Sequence, residues 1–579
     1  MRSAALVFAC AMMAPCAPGE TLPGAYFSMM EKGIARVETR LAAEPGATLR
    51  QIEEQPGWRH FPHSILAAAV MYSRDAPGNR RYRDAATLAL ALRIGDLLAA
   101  EDERGEYYWR LDSYWDTYMW LEAYRLLEPR LGDARRARWR ACLTRNVGMV
   151  AARSAEWRDF PAYTANFIGT STNHFALWAA NLMIAGRLFS DAEWRTLGEH
   201  VLGRLATTEQ TRDGYWGEHS PAGPTSGYNL LTLAAVGVFW EYTKDPAALE
   251  ALRRATDFHL YFTYPDGRPV EVLNDRNRSW ELNIYGNFAF TQGPSGRRFA
   301  QFLFAQFPNE RLDMESLGRI AQNALYYHDG TLAPIPQARS NYARRLAGPA
   351  GVRKAGPWVA TLSGLIATRP LASQWFLDRQ AHLSVFHQKA GLILSGGNSR
   401  RQPEIATFAE TTAGTVQHLP LDSRLDMTDA ADRLWLAYNS FFSEIEVPRA
   451  TGSGMDIRFK ISGRGPAPES ARLALQLVLH PGEELETAAG VRVRLDQQRV
   501  TLNSTEIAGA IRHHGWSIET GADCSLVWPV YPYSPYRNGP ETRLDRAVGV
   551  LTFPLRLKSE KDRFVRPNEQ VISVRLKVR

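Results

Sequence analysis

The segment Arg212-Asp213-Gly214-Tyr215-Trp216-Gly217-Glu218-His219-Ser220-Pro221-Ala222-Gly223-Pro224-Thr225-Ser226-Gly227-Tyr228 gathers an imidazole, two phenols and a glutamate among four glycines and two prolines. That composition suits irregular backbone around a site. His219 and Tyr228 stand nine positions apart on its two shoulders. Thr225 is the expected N-cap of the apolar run Leu230 to Trp240, which puts Tyr228 in the first turn of a helix. An imidazole and a phenol so placed can take and return a proton, so general acid–base catalysis is the chemistry they suggest. A plain helix connection with a packed Tyr and a surface His would share this spacing, and matching residues elsewhere argue against it.

In Thr170-Ser171-Thr172-Asn173-His174-Phe175 a hydroxyl residue caps a helix and leaves Asn173 and His174 in its first turn, where free backbone N–H groups favour an anion. In Asn274-Asp275-Arg276-Asn277-Arg278, two arginines can clamp carboxylates. Tyr108 and Trp109 precede a helix start at Asp112, and with Trp216 they offer rings on which pyranose faces can stack. His382, His387 and His418 open the second half of the chain and add three more imidazoles.

These residues need a scaffold, and the apolar pattern describes one. Helix-length segments fall at 24–44, 60–74, 82–100, 112–128, 133–152, 172–188, 191–207, 226–243, 246–262, 296–307 and 313–328, with almost no strand-like alternation. Asp84 to Ala100 is amphipathic, whereas Phe175 to Leu188 and Leu230 to Trp240 are apolar nearly all round. Alternating exposed and buried helices on short turns predict an α/α toroid (an incomplete barrel) over 20–335; no fixed-period repeat supports a helical solenoid. Pro334, Pro336, Gly348, Pro349, Gly351, Gly356 and Pro357 mark 336–375 as a linker. Short alternating runs then predict an antiparallel β-sandwich over 376–579, among them Leu383 to His387, Leu392 to Ser395, Ser443 to Val447, Leu473 to Leu479, Val491 to Leu495 and Val571 to Leu576.

A chain of 579 residues with 45% apolar and 22% charged residues fits an α+β multidomain globular protein. Met1-Arg2-Ser3 and the apolar stretch Ala4 to Met13 read as a signal peptide ending near residue 19, too short to anchor in a bilayer, so a periplasmic or secreted location is expected. Cys10 and Cys16 leave with it. Cys142 and Cys524 remain, which implies no disulfide framework and excludes a cysteine zinc site. No cofactor is called for, though a structural metal ion stays open. The net charge of +7 comes from dispersed basic residues, which favours an acidic polysaccharide over nucleic acid or a membrane as partner.

Asn173, His219, Tyr228 and Arg276, on a toroid followed by a sandwich, resemble the catalytic set of polysaccharide lyases of the hyaluronate, chondroitin AC and xanthan lyase type, in which the His also precedes the Tyr by nine residues. Asp213 to His219 is similar to their Asp-Gly-Ser-Phe-x-x-His phrase. Thr170 to His174 resembles the Thr-Ser-x-Asn-Asn-His phrase of heparinase II/III-like and alginate lyases, with Thr172 in place of the second Asn. That second branch implies a further histidine from the β domain, His387 or His418.

The implied reaction is β-elimination on a uronate polymer. Abstracting the C5 proton requires the neighbouring carboxylate to be neutralised, a task for the Asn173 amide and the Arg276 guanidinium. A phenol becomes an effective base beside a cation, and Tyr228 would take the C5 proton and return it to the departing O4, with His219 as base or tuning group. His174, Trp216, Tyr108, Trp109, Glu218, Arg278, His387 and His418 would hold the substrate. Two other readings remain at this stage. One is an unsaturated-glucuronyl hydrolase using a carboxylate pair from Asp112, Asp116, Glu218 and Asp275, and the other is a non-catalytic carbohydrate-binding protein.

Overall fold

A computed structural model describes residues 22–106, 113–218, 223–274, 276, 282, 284–308, 312–366, 374–452, 454–464, 466–557 and 569–579. The expected signal peptide, Tyr108, Trp109, Asp112, His219, Asp275 and Arg278 lie outside them.

The N-terminal half is built from α1 (Leu22–Ala43), α2 (Leu49–Glu53), α3 (Ser64–Ser73), α4 (Ala85–Glu103), α5 (Ser113–Leu127), α6 (Gly132–Trp157), α7 (Thr172–Phe189), α8 (Ala192–Arg204), α9 (Ser226–Thr243), α10 (Pro246–Tyr261), α11 (Asn287–Phe290), α12 (Pro294–Gln306) and α13 (Met314–Tyr326). All eleven expected helices are present; the short α2 and α11 carry too little periodicity to be anticipated. Helices α3, α5, α7, α9, α11 and α13 each pack on the next, and α13 returns to α3, forming an inner ring. Most residues of α3, α7 and α9 are buried, as their all-round apolar sequences require. Helices α1, α4, α6, α8, α10 and α12 flank the inner ones. Four flanking or ring helices start on an aspartate whose side chain accepts a backbone N–H: Asp84, Asp191, Asp245 and Asp313. Ser171 and Thr225 occupy the N-cap positions of α7 and α9 without making that bond, because these two ends face the loop of interest.

Among the described residues the strands form an eleven-stranded sheet, a nine-stranded sheet and a two-stranded ribbon, with antiparallel pairing throughout. An apolar cluster containing Trp358, Val385 and Leu473 from the first sheet and Ile457, Phe459 and Ile572 from the second fills the space between them. The expected linker needs correction. Within 336–366 lie three strands of the larger sheet, Asn341–Arg345, Ala350–Ala355 and Trp358–Ser363. Two of the Gly-Pro pairs read as a boundary, Gly348-Pro349 and Gly356-Pro357, are hairpin turns: Ala355 pairs with Trp358 across the second, and Gly356 at φ +57° ahead of a φ-locked proline suits a two-residue turn.

A separate apolar cluster joins the two halves, with Tyr215, Phe258 and Tyr264 of the helical part against Val352, Val359 and Phe386 of the sheet. Tyr264 stacks on Phe386 at 4.9 Å, and its hydroxyl is 2.8 Å from Ser384 Oγ. This interface fixes the β half against the loop that carries the candidate site.

Burial holds several imidazoles well below the ordinary histidine range, among them His259 at about 3 and His382 at about 4. A histidine depressed in the folded state binds protons preferentially when unfolded, so stability is full above about pH 6.5 and falls as pH drops toward 4. Each contributes a slope approaching ~1.4 kcal/mol per pH unit across that window. The thermal midpoint should therefore fall between pH 7 and pH 5, and His382→Gln should show a shallower dependence by about one proton; equal slopes would contradict it.

Candidate active site

The first turns of α7 and α9 sit against the 212–228 loop. Asn229 clamps the loop backbone, accepting from Trp216 N at 2.9 Å and donating to Trp216 O at 2.8 Å. Thr172 Oγ1 donates to Gly217 O at 2.7 Å. These bonds deliver Glu218 beneath Asn173, whose amide nitrogen donates to Glu218 Oε1 at 2.5 Å and to Ser171 Oγ at 3.1 Å. Burial raises the Glu218 carboxyl above its ordinary range, opposed by the Arg276 charge and by hydrogen bonds from Ser171 and Asn173.

Arg276 is buried, and its guanidinium lies 5.3 Å from the Tyr228 ring and 5.6 Å from the Trp375 ring. It also donates to the Trp375 carbonyl. Tyr228 is half-buried, and its hydroxyl meets the Tyr536 hydroxyl at 2.7 Å. Tyr536 packs edge-on to Trp375 at 5.3 Å. Asn173, Glu218, Arg276 and Tyr228 thus form one continuous group in which a buried cation lies over a phenol ring. Chemically it offers a proton acceptor and donor next to a site for negative charge.

No family model matches the sequence, and no curated protein matches it. Solved structures do. Heparinase III superposes with a TM-score of 0.52 at 12% identity, over 92% of this chain and 86% of its own. The Streptomyces coelicolor chondroitin AC lyase in complex with chondroitin sulphate gives 0.52 at 12% identity, over 98% and 81%. This chain has their fold.

Several expectations change in the structure. Trp216 is no sugar platform: it is 1% exposed and its indole donates to Leu205 O, because the Asn229 clamp turns it into the helical core. Glu218 is buried and already hydrogen-bonded to Asn173, so it does not face substrate. The Asn173 amide nitrogen, expected to meet a uronate, is engaged by Glu218 and Ser171. His387 is buried edge-on to Trp358 at 4.5 Å. The strand Leu383–His387 explains why: Ser384 and Phe386 face the helical half, and alternation sends His387 to the other side. His382 is likewise interior, bonded to Ser363 O and Tyr438 OH.

His174 is half-buried with its ring 4.9 Å from Tyr114. His418 pairs with Asp378 at 3.0 Å, next to Arg379. A Cβ on Gly223 would lie 2.1 Å from Arg379 Nη2, so any larger residue there would push the arginine head aside.

Tyr536, Trp375 and Arg379 were not anticipated. The aromatic run Tyr531-Pro532-Tyr533-Ser534-Pro535-Tyr536 was the available signal, since such a run in a β domain is an unusual loop composition.

Proposed function

We propose that this chain is a polysaccharide lyase that breaks a uronate-containing acidic polysaccharide by β-elimination, after export to the periplasm or the medium. The observation that carries the proposal is the Tyr228 ring packed against the buried Arg276 guanidinium at 5.3 Å, with Asn173 tied to the same group through Glu218. The fold shared with two lyases, one bound to chondroitin sulphate, supports it.

In this mechanism Arg276 offsets the uronate charge, which stabilises the enolate-like intermediate formed when the C5 proton leaves. Tyr228 takes that proton and delivers it to O4 as the glycosidic bond breaks, so one oxygen serves as base and then acid. His219, which lies outside the described residues, is assigned the role of tuning that phenol. Glu218 holds Asn173, and substrate binding exchanges one of the Asn173 hydrogen bonds for a uronate oxygen. A hydrolase would need two facing carboxyl groups. Of the described acidic candidates, Glu218 is bonded beneath Asn173, and Asp116 lies 3.2 Å from His63.

The test is ultraviolet absorbance from a new C4–C5 double bond when purified protein meets alginate, hyaluronate, chondroitin, heparan and glucuronan separately. A rise with at least one polymer is expected. Removal of absorbance from unsaturated oligosaccharides would instead assign a glucuronyl hydrolase, and binding without any change would assign a carbohydrate-binding protein.

A further inference from the structure

At the N-terminal ends of α3, α5 and α13 a second group of side chains converges. His60 and His63 flank Phe61-Pro62, and their rings lie 5.2 Å apart. His63 Nε2 is 3.2 Å from Asp116 Oδ1, both side chains being almost wholly buried. One ligand atom from each of His60, His63 and Asp116 lies within 4.8 Å of the others. Glu315, in the first turn of α13, brings Oε2 to 3.8 Å from His60 Nε2, while its Oε1 accepts from the Tyr285 hydroxyl at 3.0 Å.

We infer that His60, His63, Asp116 and Glu315 bind one divalent transition-metal ion of the zinc class. Two imidazoles and two carboxylates form the nitrogen and oxygen set that zinc accepts in tetrahedral sites. Zn–N and Zn–O bonds of ~2.0–2.1 Å place ligand atoms roughly 3.3 Å apart in a tetrahedron. The His63–Asp116 edge already has that length, and the His60–Glu315 edge is 3.8 Å. Calcium would need six or more oxygen ligands, which two carboxylates flanked by imidazoles do not supply.

The backbone supports the same reading. His60 adopts the left-handed conformation at φ 62°, which is costly for a non-glycine residue, and Pro62 fixes the next turn; together they aim both imidazoles at one point. The Tyr285 bond orients the Glu315 carboxylate as an outer-shell partner does. Arg319 lies 3.9 Å from Glu315 on the far side and over Trp115 at 3.6 Å, where it offsets the second carboxylate. The ion would tie α3, α5 and α13, the place where the inner ring closes on itself. This inference does not depend on the reaction proposed above.

The experiment uses the full chain without a histidine tag, stripped with a chelator and titrated with zinc or cobalt(II). One equivalent per chain is expected, with the intense visible bands of tetrahedral cobalt and a rise in thermal midpoint on saturation. Asp116→Asn should weaken binding by about 100-fold or more and remove the midpoint rise. His60→Gln, at the least buried histidine, is the variant expected to fold normally and should do the same. Less than half an equivalent bound at about 10 µM free zinc, preference for calcium or magnesium, or an unchanged midpoint rise in both variants would overturn the assignment.

Discussion

Tyr228→Phe should fold normally and lose at least ~10²-fold in kcat while KM changes little. The substitution keeps the ring against Arg276 and removes one hydroxyl, whose partner Tyr536 OH is exposed enough to bond water instead. A stability loss of about 1 kcal/mol or less is expected for a hydrogen bond of that kind. Turnover differs because the same oxygen takes the C5 proton and returns it, so no other group inherits either half of the transfer. Binding rests on Arg276 and Asn173 and should survive. Tyr536→Phe is the control, since it breaks the same hydroxyl contact while leaving the proposed base in place, and it should retain most activity. If Tyr228→Phe kept more than about a tenth of wild-type kcat, or if Tyr536→Phe were equally damaged, Tyr228 would not be the base.

Arg276→Ala should show an effect of similar size for a different reason. Removing a donor aimed at charge that develops in the transition state lowers kcat by ~10²–10³-fold. The same change leaves the buried Glu218 carboxyl without the nearby cation that opposes its desolvation, so the thermal midpoint should fall as well. The two effects are separable. Adding Glu218→Gln to Arg276→Ala removes the stranded carboxyl while its amide oxygen can still accept from Asn173, so the thermal midpoint should recover most of its loss. Activity should not recover. A double variant that regained both would make Arg276 a structural residue only. Arg276→Lys should hold stability better than Ala and still turn over poorly, because an ammonium lacks the planar fork that meets a carboxylate.

Much of the scaffold was legible in the sequence because its signals are local. The 3.6-residue apolar period placed α9 over Ser226–Thr243 and set Tyr228 in its first turn, with Asn173 likewise at the start of α7. Period-2 runs located strands such as Leu383–His387 and Glu569–Val578. Glycine and proline density mis-stated one boundary, since Gly356-Pro357 can end a domain or turn a hairpin, and only pairing of Ala355 with Trp358 decides between them.

What the tertiary structure alone decided is which faces meet. Alternation assigns Phe386 and His387 to opposite sides of a strand, but only docking against Tyr264 shows that Phe386 faces the helical half and His387 does not. The Asn229 clamp sends Trp216 into the core, a consequence of hydrogen bonds rather than of ring chemistry. Tyr228 and Tyr536 are 308 residues apart and meet because an apolar interface, not sequence proximity, brings the β half over the loop. His60, His63, Asp116 and Glu315 come from three helix ends and approach one another only once the inner ring closes. Residue types and local periods are properties of the chain. The distances that turn those types into a site are properties of long-range packing, whose closure no local pattern encodes.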